Sequence, residues 1–343
     1  MRIIIKKILV NTYRGDFMLK EKTFFFITTM IIVLSVLMTA CGGTSSPNSG
    51  APTPKEKETT AAEGMRSFET KKGIVKIPVK PKRIVTDFYG GELLSVGANV
   101  VGVEPTTFKN PFLTDLLKGA SDIGEPISTE KTLQLKPDLI VVMKDENYEA
   151  LSKIAPTLHI PYGTATNIYE TVRLFGDIAG EKEKAEEFIA AFDKKAAEGR
   201  EKLKGVIDEN AAFGLYELTD KGELWIFGDN AGRGGQAIYN ALKLKMPHAK
   251  NKAEEQTLKL SMEMLPQYAA DYMFLTTYDP QNKGEALKQL QSSAVWKNLK
   301  ASKNNTLFYN DFDTFYRYDP IAITGQIDLI VDMLLERSKE NKK

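Results

Sequence analysis

The sequence predicts an α/β protein: two α/β lobes with largely parallel sheets, joined by one long rigid α-helix. Three observations carry this. Strand-length apolar runs alternate with helical stretches in two separate series, the signature of βα units. A long amphipathic span lies between the two series. One polar pattern occurs in both series at the same offsets.

The first series opens with Ile74–Pro78 and Pro81–Val85. It continues through Val100–Val103, Leu139–Val142 and Leu158–Ile160, with helical stretches at Gly91–Gly97 and Phe112–Lys118. The connecting span is Ile168–Gly205, where Gly180 separates two helices. The second helix, Glu181–Leu203, places Ala185, Phe188, Ile189, Phe192 and Ala196 on one face and Lys and Glu on the other, as a helix against a core requires. At about 1.5 Å per residue it spans roughly 35 Å, the width of a small domain, so lobe closure about it is expected to be small. The second series runs through Ala211–Leu218, Leu224–Phe227, Tyr272–Thr276 and Thr306–Tyr309. The expected organisation is a signal segment over 1–40, a lipidated cysteine and tether over 41–66, lobes over 67–166 and 206–338, and a bridge over 167–205.

The N-terminal segment reads as an address. Phe24–Ala40 is almost wholly apolar, follows Lys20 and Lys22, and ends at Cys41-Gly42-Gly43. Charge, apolar stretch and small residues at a cut site make a secretory signal. Met38-Thr39-Ala40-Cys41 resembles the lipobox of bacterial lipoproteins, with methionine in place of the usual leucine. That resemblance implies a diacylglycerol on Cys41 and anchoring by acyl chains. The alternative is a permanent membrane helix, since the run is close to spanning length. Met18 would itself begin a compact signal peptide. Residues 42–66, rich in Ser, Thr, Pro, Gly, Lys and Glu, suit a tether.

Composition excludes several chemistries. Lys+Arg is 46 against Asp+Glu 45, with none of the basic excess that nucleic-acid binding needs. One cysteine rules out an internal disulfide framework. Two histidines, His159 and His248, cannot build a multi-histidine metal site. There is no GxSxG, HExxH or Cys/His pairing, which weighs against a surface-anchored hydrolase. Gly228–Gly235 is a glycine-rich loop, but it matches neither GxxxxGK[ST] nor GxGxxG. A purely structural adhesin leaves the bridge and the aromatic loops unexplained.

The repeated pattern is Ser128-Thr129-Glu130, Gln134, Asp138, strand; then Ser261-Met262-Glu263, Gln267, Asp271, strand. Each reads as a helix capped by serine with glutamate in its first turn. Together with Pro81–Val85, Leu135-Lys136-Pro137-Asp138-Leu139-Ile140, the helix after Gly180 and Val295–Ala301, this resembles the substrate-binding proteins of ABC importers for iron-siderophores and vitamin B12. The resemblance extends over about 67–338. It implies the class III periplasmic-binding-protein fold, a monomer without catalytic residues or a resident cofactor, a ferric siderophore as transported ligand, and docking on the importer's membrane subunits through Glu130 and Glu263.

Loops at the C-terminal ends of parallel strands are where such sheets bind ligands. They offer Tyr89, Phe108 and Lys144 in the first lobe, and Trp225, Arg233, Tyr278, Phe315, Tyr316 and Arg317 in the second. Arg233 resembles the arginine with which the hydroxamate branch contacts iron-chelating oxygens. That branch often has tryptophan two residues earlier, where Ala231 stands here. Trp296 is read as core. Ferric citrate, catecholate or mixed siderophores and haem remain open, as does bare ferric iron on tyrosine, Asp311 and Asp313 oxygens.

Overall fold

A computed structural model describes residues 64–251, 255–281 and 283–343. The expected signal segment and Cys41 lie outside the described residues. No helix among those described is long and apolar enough to cross a membrane.

The first lobe is a five-stranded sheet, all parallel. Its strands are β3 (Ile84–Thr86), β4 (Val100–Val103), β5 (Ser121–Asp122), β6 (Leu139–Val142) and β7 (Thr157–His159), in the order β5-β4-β3-β6-β7. β3, β4 and β6 are buried throughout, which is why they read as unbroken apolar runs. An antiparallel hairpin of β1 (Met65–Thr70) and β2 (Gly73–Pro78) precedes them. The chain is thus already a strand at Met65, inside the segment expected to be tether, because Phe68 on β1 packs against the main core.

The second sheet also has five strands: β8 (Phe213–Thr219), β9 (Leu224–Phe227), β10 (Thr257–Leu260), β11 (Tyr272–Tyr278) and β12 (Leu307–Asn310), in the order β10-β9-β8-β11-β12. β8, β11 and β12 are parallel, but β9 and β10 run antiparallel to their neighbours. The short turn through Gly222, at φ 76°, sends β9 straight back along β8. Phe112–Lys118, expected to be helix, forms consecutive turns instead. Leu113 and Leu117 are still buried at helical spacing.

Between the sheets run α4 (Ile168–Ala179) and α5 (Lys182–Leu203). The 22 residues of α5 measure about 33 Å. Ala185, Ile189, Phe192 and Ala196 are buried on one face. Gly180 ends α4 at φ 68°, and a Cβ there would stand 2.1 Å from the Val79 carbonyl oxygen, so only glycine fits. The C-terminal helix α12 (Pro320–Glu340) packs on α5 and also on the first lobe's α1 (Gly90–Ser95). One core cluster consequently runs through both sheets and all these helices.

The repeated polar pattern has a physical basis. Asp138 accepts from the Lys82 and Arg83 amides at 2.7 and 2.8 Å, just ahead of β3. Asp271 accepts from the Ala212 amide at 2.8 Å, just ahead of β8. Each aspartate fixes the start of the strand next to its own. Ser128 caps α2 (Thr129–Gln134), accepting from the Lys131 amide, and Ser261 accepts from the Met264 amide. The same hydroxyl also donates to the Glu263 carboxylate and holds it below its ordinary range.

Candidate ligand-binding cleft

The C-terminal ends of the parallel strands of both sheets face a cleft of about 590 Å³ between the lobes. On the first lobe its wall begins after β3. The Asp87 carboxylate accepts from the Met143 and Lys144 amides at 2.8 and 3.2 Å, tying the ends of β3 and β6 together. Burial raises this carboxyl above its ordinary range, partly offset by those amides. After β4, Glu104 caps the turn Pro105–Lys109. It accepts from the Thr106 amide and hydroxyl, both at 2.6 Å, and from the Thr107 hydroxyl at 2.8 Å. Lys144 reaches Glu125 at 3.5 Å.

On the second lobe Glu217, near the end of β8, holds Arg233. The Arg233 Nε donates to it at 2.7 Å and a second guanidinium nitrogen also contacts it. The guanidinium lies between the rings of Phe227 and Tyr316, 4.4 and 4.8 Å from their centroids. Arg233 itself sits at φ 58°, a left-handed conformation costly for a long side chain and retained here by the ion pair and the two rings. Tyr316 stacks on Phe312 at 4.9 Å, and Phe312 meets Tyr278 at 4.9 Å. The result is a continuous pile of four rings and one guanidinium, with Phe227 buried behind it and the other members lining the cleft. Arg317 crosses to the other lobe, donating to the Thr106 carbonyl at 2.9 Å, and also reaches Asp313.

Lys144, Arg233, Tyr278, Tyr316 and Arg317 therefore all line one cleft. Four other candidates do not. Tyr89 is buried against Phe175, and its hydroxyl donates to the Ile160 carbonyl. Phe315 is buried beneath the loop, beside Gly234. Trp225 packs its body on the core while its indole N–H is engaged by Glu223. Phe108 is exposed but lies outside the cleft lining. In two of these loops the neighbouring residue faces the ligand space instead: Phe88 and Lys109 line it. Phe312, Glu104 and Glu217 were also missed, and only their place at strand ends marks them in sequence. Asp311 is occupied as the cap of α11 (Phe312–Phe315), accepting from the Thr314 amide and hydroxyl. Among the described residues no group of three or more His, Cys, Asp or Glu side chains is placed to hold a metal ion. Glu130 is exposed on α2 and Glu263 on the turn before α7 (Leu265–Tyr268).

Comparison with known proteins gives a consistent picture. Residues 92–314 match the model of a periplasmic binding protein family. The iron(3+)-hydroxamate-binding protein YxeB of Bacillus subtilis is 53% identical over 320 residues, 92% of this chain and 97% of YxeB. The iron(3+)-hydroxamate-binding protein FhuD of the same organism is 34% identical over 311 residues, 88% of this chain and 95% of FhuD. Among solved structures, FhuD2 of Staphylococcus aureus with bound ferrioxamine B superposes with a TM-score of 0.67 at 29% identity, covering 75% of this chain and 100% of that one. Shared over nearly the full length in sequence, and over three-quarters of the chain in fold, these features place the protein in the periplasmic binding protein family.

Proposed function

We propose that this protein is an extracytoplasmic substrate-binding lipoprotein that captures a ferric hydroxamate siderophore between its lobes and delivers it to an ABC importer. The observation that carries the reading is the cleft wall in which Arg233 is clamped between Phe227 and Tyr316, with Phe312 and Tyr278 continuing the stack. Such a surface suits an iron complex whose metal is already coordinated. Rings cover the organic shell, and the guanidinium's remaining N–H groups meet the chelating oxygens. The names of the relatives point the same way.

The rest of the mechanism is binding rather than catalysis. The ligand enters the open side of the cleft, displaces water from the rings, and gains hydrogen bonds from Arg233 and Arg317. The long α5 and the shared packing of α12 limit closure to small adjustments. Glu130 and Glu263, one on each lobe, then meet cations on the importer's membrane subunits, with lobes over 67–166 and 206–338 acting as a monomer. A diacylglycerol on Cys41 retains the protein at the membrane.

Titration of the purified protein with ferric hydroxamate, catecholate and citrate complexes, read by tryptophan fluorescence, tests the reading. Saturable quenching by hydroxamates is expected, with none from free ferric salts. Saturation by catecholates alone would overturn the hydroxamate assignment.

A further inference from the structure

The cleft's charges do not cancel. Its lining holds six carboxylates and four cationic side chains. Three of the cations are already matched: Arg233 by Glu217, Arg317 by Asp313 and Lys144 by Glu125. Only Lys109 then stands against Asp87, Glu104 and Glu146. Glu104 is 7% exposed, and its three donors are an amide and two hydroxyls. Dipoles solvate that carboxylate without neutralising it. Glu146, exposed at the rim, has no ion pair among the described residues. An anionic ligand would find one unmatched cation here, whereas a cationic one finds several unmatched carboxylates and the faces of Tyr278, Phe312 and Tyr316.

Resting on the siderophore reading above, we propose that the cleft favours ferric chelates bearing a cationic group, and that Glu104 and Glu146 receive it. Three monoanionic hydroxamates on ferric iron give a neutral centre. The charge of an appended group then decides between otherwise equal ligands. A primary ammonium fits the arrangement: it is compact, carries three donors, and can meet a carboxylate and a ring face together.

The test is a pair of ligands with identical iron coordination: a ferric linear tris-hydroxamate ending in a free primary amine, and its N-acetylated form. Both are titrated into the purified protein at low and at high salt. The amine form is expected to bind about tenfold more tightly at low salt, the size of one hydrogen-bonded charge contact, with the ratio shrinking at high salt. Glu104→Gln and, independently, the exposed Glu146→Gln should each pull the ratio toward one, whatever they do to the absolute affinities. Equal affinities in the unsubstituted protein, or a ratio that neither variant moves, overturns the inference. If neither chelate binds, the siderophore reading falls and takes this inference with it.

Discussion

Replacing Arg233 by methionine should be among the most damaging single changes at the cleft, and its size can be worked out. The Arg233 and Glu217 side chains are 13% and 10% exposed, so solvent screens the pair little. The substitution keeps a chain of similar length between Phe227 and Tyr316 but leaves Glu217 without a cation. Removing one partner of a buried pair costs about 3–5 kcal/mol, most of it the penalty of the stranded charge. At about 2–4 °C per kcal/mol for a domain of this size, the melting temperature should fall by roughly 6–20 °C. Adding Glu217→Gln removes the stranded charge and should recover at least half of that loss. Urea unfolding followed by tryptophan fluorescence reads both variants, and a double-mutant cycle isolates the pair. If Arg233→Met unfolds within about 1 kcal/mol of the parent, or Glu217→Gln recovers nothing in its background, the pair is not the support described here.

Glu92 and Asp319 face one another across the lobes, and burial raises both carboxyls, with the Asp319 charge adding to the effect on Glu92. Because the folded values lie above the ordinary 4.5 and 3.8, the folded state holds extra protons. The stabilisation they bring is complete below about pH 4 and is lost as pH rises through the raised values. The melting temperature should therefore decline as pH rises above the ordinary carboxylate range, and Glu92→Gln should flatten that slope. A Cβ at Gly91 would lie 2.4 Å from the Asp319 carboxyl carbon. Asp319 is pinned there by the Ala322 amide and the Asn110 side chain. Gly91→Ala should thus cost about 1–3 kcal/mol by calorimetry, and an unchanged melting temperature would contradict so tight a seam. Glu130→Arg with Glu263→Arg should abolish iron-siderophore uptake in cells while leaving chelate affinity intact. Normal uptake would remove both from the docking surface.

Much of the architecture was legible because the central parallel strands are buried on both faces. Val100–Val103 and Leu139–Val142 have no polar alternation to disguise them. The matched Asp138 and Asp271 were legible as a pattern, and their task of holding the next strand's amides emerged only in three dimensions. β10 was missed because Thr257–Leu260 is a short, half-exposed edge strand. Within the cleft, a loop expected from sequence can present the neighbour of the residue named: at Phe88-Tyr89, it is the phenylalanine that lines the cavity. Which way a loop side chain turns depends on partners distant in the chain, as with Arg317 and Thr106. The carboxylates were invisible for the same reason. Glu104 and Glu217 look like ordinary surface acids until Thr106, Thr107 and Arg233 are brought beside them.

The opening hairpin and the two residues after it meet the bridge at one joint. Arg66 binds Asp177, Val79 sits on Gly180, and Lys80 pairs with Glu181, all at the joint where α4 gives way to the long α5. A pull applied at Met65 would therefore enter the molecule beside its pivot.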